Sequence, residues 1–196
     1  MFTLTRTERF EQEIKKSRFL AQAAPAGSEE EARRFIAEAS IPEAGHNCWA
    51  WRVGDVYRFN DDGEPGGTAG RPILQAIEGQ DLDRVAVVVS RWFGGILLGA
   101  GGLVRAYGGT AANCLKAAAR EPIITYATLS VVCGFADEAR LRSGLNAFPG
   151  SRAETVGFTA DGVQIQVVLP RDHADRFVRL VTDLSRGQAV VDFVAD

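Results

Sequence analysis

The stretch VAVVVSRWFGGILLGAGGLVRAYGG, Val85–Gly109, decides the fold. Its opening, Val85 to Arg91, is a nearly continuous apolar run of strand length, the pattern of a strand covered on both faces. Trp92 to Ala100 reads as a loop, and Gly101 to Arg120 as a long Ala-rich helix. A buried strand that passes through glycines into a helix belongs to an α+β layer, and the residues upstream extend it. Thr68 to Glu78 reads as a helix after the polar, glycine-rich loop Asn60 to Gly67. His46–Val53 and Asp55–Asn60 form a hairpin around Gly54, with Asn47, Trp49, Trp51 and Val53 on one face and His46, Cys48, Ala50 and Arg52 on the other. Ser28 caps a helix running to about Ser40, whose first turn holds Glu29, Glu30 and Glu31 and whose buried face is Ala32, Phe35, Ile36 and Ala39. Ser17 to Ala24 is a strand before it.

Downstream, Glu121-Pro122 breaks the helix and sets the expected hinge between two units, 1–121 and 122–196. In the second unit Ile123–Cys133 reads as a strand and Ala136–Ala147 as a helix. Ala153–Thr159 and Val163–Leu169 make a hairpin around Asp161-Gly162, followed by a helix over His173–Leu184 and a strand over Ala189–Val194. That order, βαββαβ, is the ferredoxin-like split pattern, a sheet with two helices on one face. Two small α+β domains in series are expected.

Composition narrows the function classes. The chain has 196 residues, 46% of them hydrophobic and 24% charged, which excludes disorder and fibrous repeats. No apolar run reaches the ~18 residues of a membrane span. The N-terminal residues Met1 to Arg18 are too charged for a signal peptide, so a cytoplasmic location and no membrane partner are expected. Cys48, Cys114 and Cys133 form no CxxC or CxH pair, which predicts reduced thiols and no structural metal. A net charge of -3 requires any nucleic-acid contact to come from a local patch.

Five glycines within nine residues, Gly94, Gly95, Gly99, Gly101 and Gly102, have two readings. Bare backbone at a helix start can cradle a phosphate, with Arg91 at the strand end and Arg105 one turn into the helix aimed at the same anion. Alternatively, the glycines only permit a tight strand-helix crossing. Nucleotide signatures fail: Ala100-Gly101 stands where a P-loop needs Lys-Ser/Thr, and Val104 interrupts a GxGxxG, so no cofactor is expected.

Asp61, Asp62 and Glu64 place three carboxylates in four residues, fit for a cation or acid-base work, with Arg71 a possible partner for one of them. The plainer reading is turn chemistry, with Thr68 or Asp62 capping the next helix. His46 and Cys48 share a strand face, but residues two apart lie ~6.6 Å from each other along a strand, beyond hydrogen-bond reach, so they do not form a nucleophile pair. His173 stands alone and is expected on a solvated helix face.

The segments HNCWAWRVG (His46–Gly54), NDDGEPGGTAGRPIL (Asn60–Leu74) and RWFGGILLGAGGLVRAYGG (Arg91–Gly109) together resemble the IMPACT/YigZ family. The resemblance covers roughly Lys15 to Arg120, and its pattern falls on His46, Asn47, Asp61, Asp62, Gly63, Glu64, Pro65, Thr68, Gly70, Arg71, Arg91, Gly94, Gly95, Gly99, Gly101, Gly102 and Arg105. Two positions depart from it: Trp92 replaces the usual Tyr, and Leu97 stands where Lys is common. The resemblance implies an N-terminal domain with the ribosomal protein S5 domain 2-like fold. It also implies a C-terminal ferredoxin-like domain resembling the last domain of elongation factor G. Eukaryotic members restrain activation of a translation-initiation stress kinase through an additional N-terminal domain. Kinase regulation is therefore not expected to carry over directly.

Three functions follow as expectations. The first is a translation-associated regulatory protein that binds RNA or the ribosome through the glycine loop and Arg71, Arg91 and Arg105. The second is a metal-assisted or acid-base hydrolase using Asp61, Asp62, Glu64 and His46. The third is a scaffold that binds a translation factor. The Asp61–Glu64 loop and the Gly94–Gly102 loop are expected to be spatial neighbours, with His46 nearby at the strand edge, and an Arg-lined cleft there would favour anion binding whereas convergent carboxylates holding an ion would favour catalysis.

Overall fold

The computed structural model describes residues 1–194 and divides into two compact units, Met1–Ile123 and a second beginning at Ile124. The division falls just past Glu121-Pro122. Ala195 and Asp196 lie outside the described residues.

The first unit is built on a five-stranded, wholly antiparallel sheet of order β2-β3-β6-β4-β5. Its strands are β2 (Glu8–Ile14), β3 (Ser17–Pro25), β4 (His46–Val53), β5 (Val56–Asn60) and β6 (Val85–Trp92). The run Val85–Val89 is apolar throughout because β6 is central and both its faces are covered. Val85, Val87 and Val89 pack with Phe19, Cys48 and Ala50 beneath α2 (Gly70–Glu78) and α3 (Ala100–Ala117). Ala86 packs with Trp51 and Ala32 on the other side, under α1 (Glu29–Ala39). Ser28 caps α1 as its sequence predicts, its side chain accepting from the Glu31 amide, an interaction worth about 1 kcal/mol.

Two features depart from the local reading of the sequence. The charged segment Glu8–Ile14 is an edge strand, and Arg120–Pro122 is not a loose hinge but strand β7, paired antiparallel with β1 (Phe2–Leu4). The chain end thereby ties back to the start of the same unit, with Ile123 donating to the Met1 carbonyl.

In the second unit β8 (Tyr126–Gly134), α4 (Phe135–Leu145), β9 (Arg152–Phe158), β10 (Gly162–Pro170), α5 (Ala174–Leu184) and β11 (Val190–Val194) follow in that order. The sheet order is β11-β8-β10-β9. Alternate residues Ala127, Leu129, Val131 and Cys133 of β8 form a core with Leu141, Leu145, Phe177 and Val181 of the helices. His173 is not on a solvated helix face: it lies in a short 3-10 turn, half-buried, its ring 5.9 Å from that of Phe148. No helix among the described residues is long and apolar enough to cross a membrane.

Candidate functional site

The three motif segments meet at one end of the first unit's sheet. β4 starts there with His46, β5 ends there and runs into the Asp61–Glu64 loop, and β6 reaches it at Arg91, its penultimate residue. The register pairs His46 directly with Arg91.

At the centre is the Glu64 carboxylate, 8% exposed. Its Oε1 accepts from Arg91 Nη1 at 2.6 Å and from the Tyr107 hydroxyl of α3 at 2.7 Å, and lies 4.0 Å from His46 Nε2. Arg91 is 6% exposed and reaches toward the Ser17 hydroxyl, which also accepts from the Gly94 amide at 3.2 Å. Glu64 and Arg91 therefore join the acidic loop, the strand end and the start of the glycine loop through one buried ion pair. Arg71, expected as a partner for a carboxylate, is exposed and makes no salt bridge among the described residues. Arg91 takes that role because it stands near the end of the central strand, opposite His46.

The other two carboxylates are committed to backbone. Asp61 accepts from the amides of Gly67, Ala69 and Gly70, closing the N-terminus of α2 from nine residues upstream. Asp62 accepts from the Asn47 amide, while its carbonyl accepts from His46 Nδ1 at 2.7 Å. That bond places the imidazole proton on Nδ1 and leaves Nε2 toward Glu64. The expected cap residues thus do other work: Thr68 bonds the Pro65 carbonyl, and Asp62 latches onto β4. Asn47 in turn accepts from Ser90 Oγ and the Ile41 amide, fixing the turn before β4. Gly63 stands at φ +82°, where a Cβ would come within 3.5 Å of the His46 ring.

Burial alone would raise the Asp61 pKa, but the three amide donors outweigh it and hold the carboxyl below the usual range. A carboxylate whose pKa is lower folded than unfolded stabilises the fold above its unfolded value, about 3.9, and loses that contribution as the pH falls through the folded value. Asp61→Asn is therefore expected to lower stability at neutral pH and to flatten the decline on acidification. Urea midpoints followed from pH 7 downward should show the two profiles converging, and parallel profiles would refute the assignment.

Cys48 donates toward the Asp61 carbonyl, and burial pushes its thiol up to about 12, which makes it a poor nucleophile near neutral pH. Burial likewise raises the Tyr107 hydroxyl, so Tyr107 holds its proton and donates it to Glu64. Among the described residues no group of three or more His, Cys, Asp or Glu side chains is arranged to hold a metal ion.

The glycine loop shows both readings of its composition at once. Gly94 is a packing glycine: a Cβ there would collide with the Lys16 carbonyl of the β2–β3 turn. Gly95 and Gly99 adopt φ +83° and +72° in open space, so they serve the course of the loop rather than a crossing. Gly99 precedes α3 without a side-chain cap, no acidic residue stands in the first turn, and Gly101 is exposed. Arg105 is exposed, and its Nη1 lies 3.7 Å from where a Cβ on Gly101 would stand, on the side of the helix one turn in. The N-terminus of α1 is capped by Ser28 and that of α2 is closed by Asp61, whereas that of α3 has no side-chain cap.

Comparison with known proteins adds three findings. Residues 15–115 match the family described as the Impact N-terminal domain, and residues 131–188 match a domain of unknown function, DUF1949. The chain is similar to an IMPACT family member in the pol 5' region of Thermus thermophilus, 45% identical over 91% of this chain and 99% of that protein. It is also similar to YigZ of Escherichia coli, 34% identical over 90% and 89%. A crystal structure of a hypothetical protein, 32% identical in sequence, superposes with a TM-score of 0.63 over 100% of this chain and 97% of that one. The likeness to the Protein IMPACT of Rattus norvegicus, at 37% identity, spans 43% of this chain and 29% of that protein.

Proposed function

This chain belongs to the IMPACT family, and from that premise we propose that it is a non-enzymatic, translation-associated regulatory protein of the cytoplasm that docks on RNA or the ribosome through phosphate contacts at the start of α3. The open N-terminus at Gly99–Gly102 carries the reading. Unpaired backbone N–H groups and the positive end of the helix dipole attract an anion, and Arg105, one turn into the helix on the side of Gly101, can add a charge-assisted bond. The contrast with α2 sharpens the argument, because there the same kind of site is already filled by Asp61.

Of the three arginines expected at the site, Arg71 and Arg105 are free to act, both exposed and outside any salt bridge among the described residues. Arg91 has a different part: paired with Glu64 beneath the loop, it fixes the shape of the site, and an external phosphate would have to displace a buried carboxylate to reach it. The same commitments disfavour hydrolysis, since Asp61, Asp62 and Glu64 are each taken by partners within the protein.

The βαββαβ order and the β11-β8-β10-β9 sheet support reading the second unit as ferredoxin-like, resembling the last domain of elongation factor G. For the first unit we adopt the S5 domain 2-like assignment that the family resemblance implies.

Cosedimentation with purified ribosomes tests the function. The wild-type protein is expected to pellet at low salt and to dissociate as salt rises. The double variant Arg71→Ala/Arg105→Ala should bind more weakly, with a salt dependence shallower by roughly 0.7 to 0.9 log unit for each lost contact. Absence of ribosome and RNA binding by the wild type at low salt would overturn the reading.

A further inference from the structure

We infer that the glycine loop and the β2–β3 turn form one binding tip for unpaired RNA, with Phe93 as a stacking platform for a base and Lys15 and Lys16 as the flanking phosphate contacts. The inference deepens the RNA reading above and depends on it.

The two segments are locked together by backbone. Gly94 lies directly on the Lys16 carbonyl, and its amide donates to Ser17 Oγ, so the lysine turn and the loop move as one piece. Lys15 and Lys16 occupy the positive-φ positions of the tight turn, φ 47° and 62°, which aims two exposed ammonium groups outward beside the loop. Neither joins a salt bridge among the described residues. Of the nearby acids, Glu11 bonds the Arg18 guanidinium at 2.7 Å, and Glu13 stands opposite Arg18 in the hairpin register. Arg18 itself lies 4.4 Å from the centre of the Trp92 ring, against the strand end.

Three large apolar side chains emerge from the loop beside these cations: Phe93 at 58% exposure, Ile96 at 40% and Leu97 at 83%. The Arg91 guanidinium of the buried ion pair lies 5.6 Å from the centre of the Phe93 ring and backs one side of it, which leaves the other side of the ring to solvent. Three side chains on one loop fall far short of the ~800 Å² that each partner contributes to a stable protein interface. A single nucleotide needs much less: one aromatic ring for its base and one or two cations for its phosphates. Stacking on an exposed ring requires a base face that is not already covered by a neighbouring base pair, which selects a single strand over a duplex.

The test is fluorescence anisotropy with a short labelled oligouridine strand, and with the same strand annealed to oligoadenine, across a salt series. The single strand is expected to bind more tightly. Phe93→Ala should weaken it roughly five- to a hundredfold without changing the salt slope, while Phe93→Trp retains binding. Lys15→Ala/Lys16→Ala should reduce the slope by roughly 1.4 log units, about 0.7 for each single-strand phosphate contact. Lys15 and Lys16 are exposed and outside any salt bridge among the described residues, so their variant is expected to keep the wild-type melting temperature, and Phe93→Trp, which keeps a ring against Arg91, controls for the loss of that contact in Phe93→Ala.

Equal or tighter binding of the duplex, or no effect of Phe93→Ala, overturns the inference. So does loss of ribosome association in Phe93→Ala with oligouridine binding intact, which would mark a protein contact. If oligouridine is not bound while ribosomes still pellet the protein through Arg105, this inference fails and the broader function stands. If neither binds, both fail.

Discussion

Glu64→Ala is expected to destabilise the first unit by about 3–5 kcal/mol, the range for removing one partner of a buried ion pair. The size follows from what remains. Arg91 would keep a full charge at 6% exposure, with its Nε already lacking a hydrogen-bond partner, and the buried Tyr107 hydroxyl would lose its acceptor. The pair stabilises less than this loss suggests, because most of the cost comes from leaving the guanidinium uncompensated. A double variant, Glu64→Met/Arg91→Met, is therefore expected to be more stable than Glu64→Ala alone. All three tryptophans, Trp49, Trp51 and Trp92, lie in the first unit, so urea unfolding followed by tryptophan fluorescence reports on this unit. A Glu64→Ala variant within about 0.5 kcal/mol of wild type, the ordinary range for surface substitutions, would show that the cluster does not hold the three motif segments together.

Gly94→Ala should come next in size, at about 3 kcal/mol, the upper end of the usual cost of overpacking. The obstacle is backbone on both sides. The new methyl group would meet the Lys16 carbonyl and the Ser17 amide nitrogen, neither of which can change rotamer to make room. The loop must lift from the β2–β3 turn, breaking the bond from the Gly94 amide to Ser17. Gly95→Ala provides the contrast. There a Cβ meets nothing within 4 Å, and only the positive φ of 83° resists it, at a cost of about 1–2 kcal/mol. If the two variants melt together, the steric lock between loop and turn is not what sets the loop's position.

These two residues also show how far the sequence could be read. The glycine spacing told that the segment after β6 needed bare backbone, but not which glycine served packing and which served the path of the loop. That distinction depends on Lys16, 78 positions earlier in the chain. Periodicity located β3, α1, β4, β5, α2, β6 and α3 because each has a covered face that writes itself into the residue pattern. β2 escaped because it is an edge strand, and ERFEQEI buries its Phe10 and Ile14 only in part. β1 and β7 escaped because their pairing is purely non-local and contains a proline that reads as a break.

At the site, the motif segments were expected to converge and they do, through His46–Asp62 and Glu64–Arg91. The partners were not legible. Arg71 is adjacent in sequence to the acidic loop, yet Arg91 reaches Glu64 because sheet register outweighs sequence proximity. Tyr107 and Ser17 carried no signal at all, since a hydroxyl beneath a loop looks like any other core tyrosine or strand serine.

The most direct measurement of the central claim is an inorganic phosphate titration followed by backbone amide resonances. The N-termini of α3 and α2 serve as site and control. The amides of Gly101 and Gly102, at the open start of α3, are expected to shift with added phosphate and to respond less in Arg105→Ala. The amides of Gly67 and Gly70, already bonded to Asp61, are expected to stay still. Unmoved Gly101 and Gly102, or shifts of equal size at both helix starts, would contradict the account.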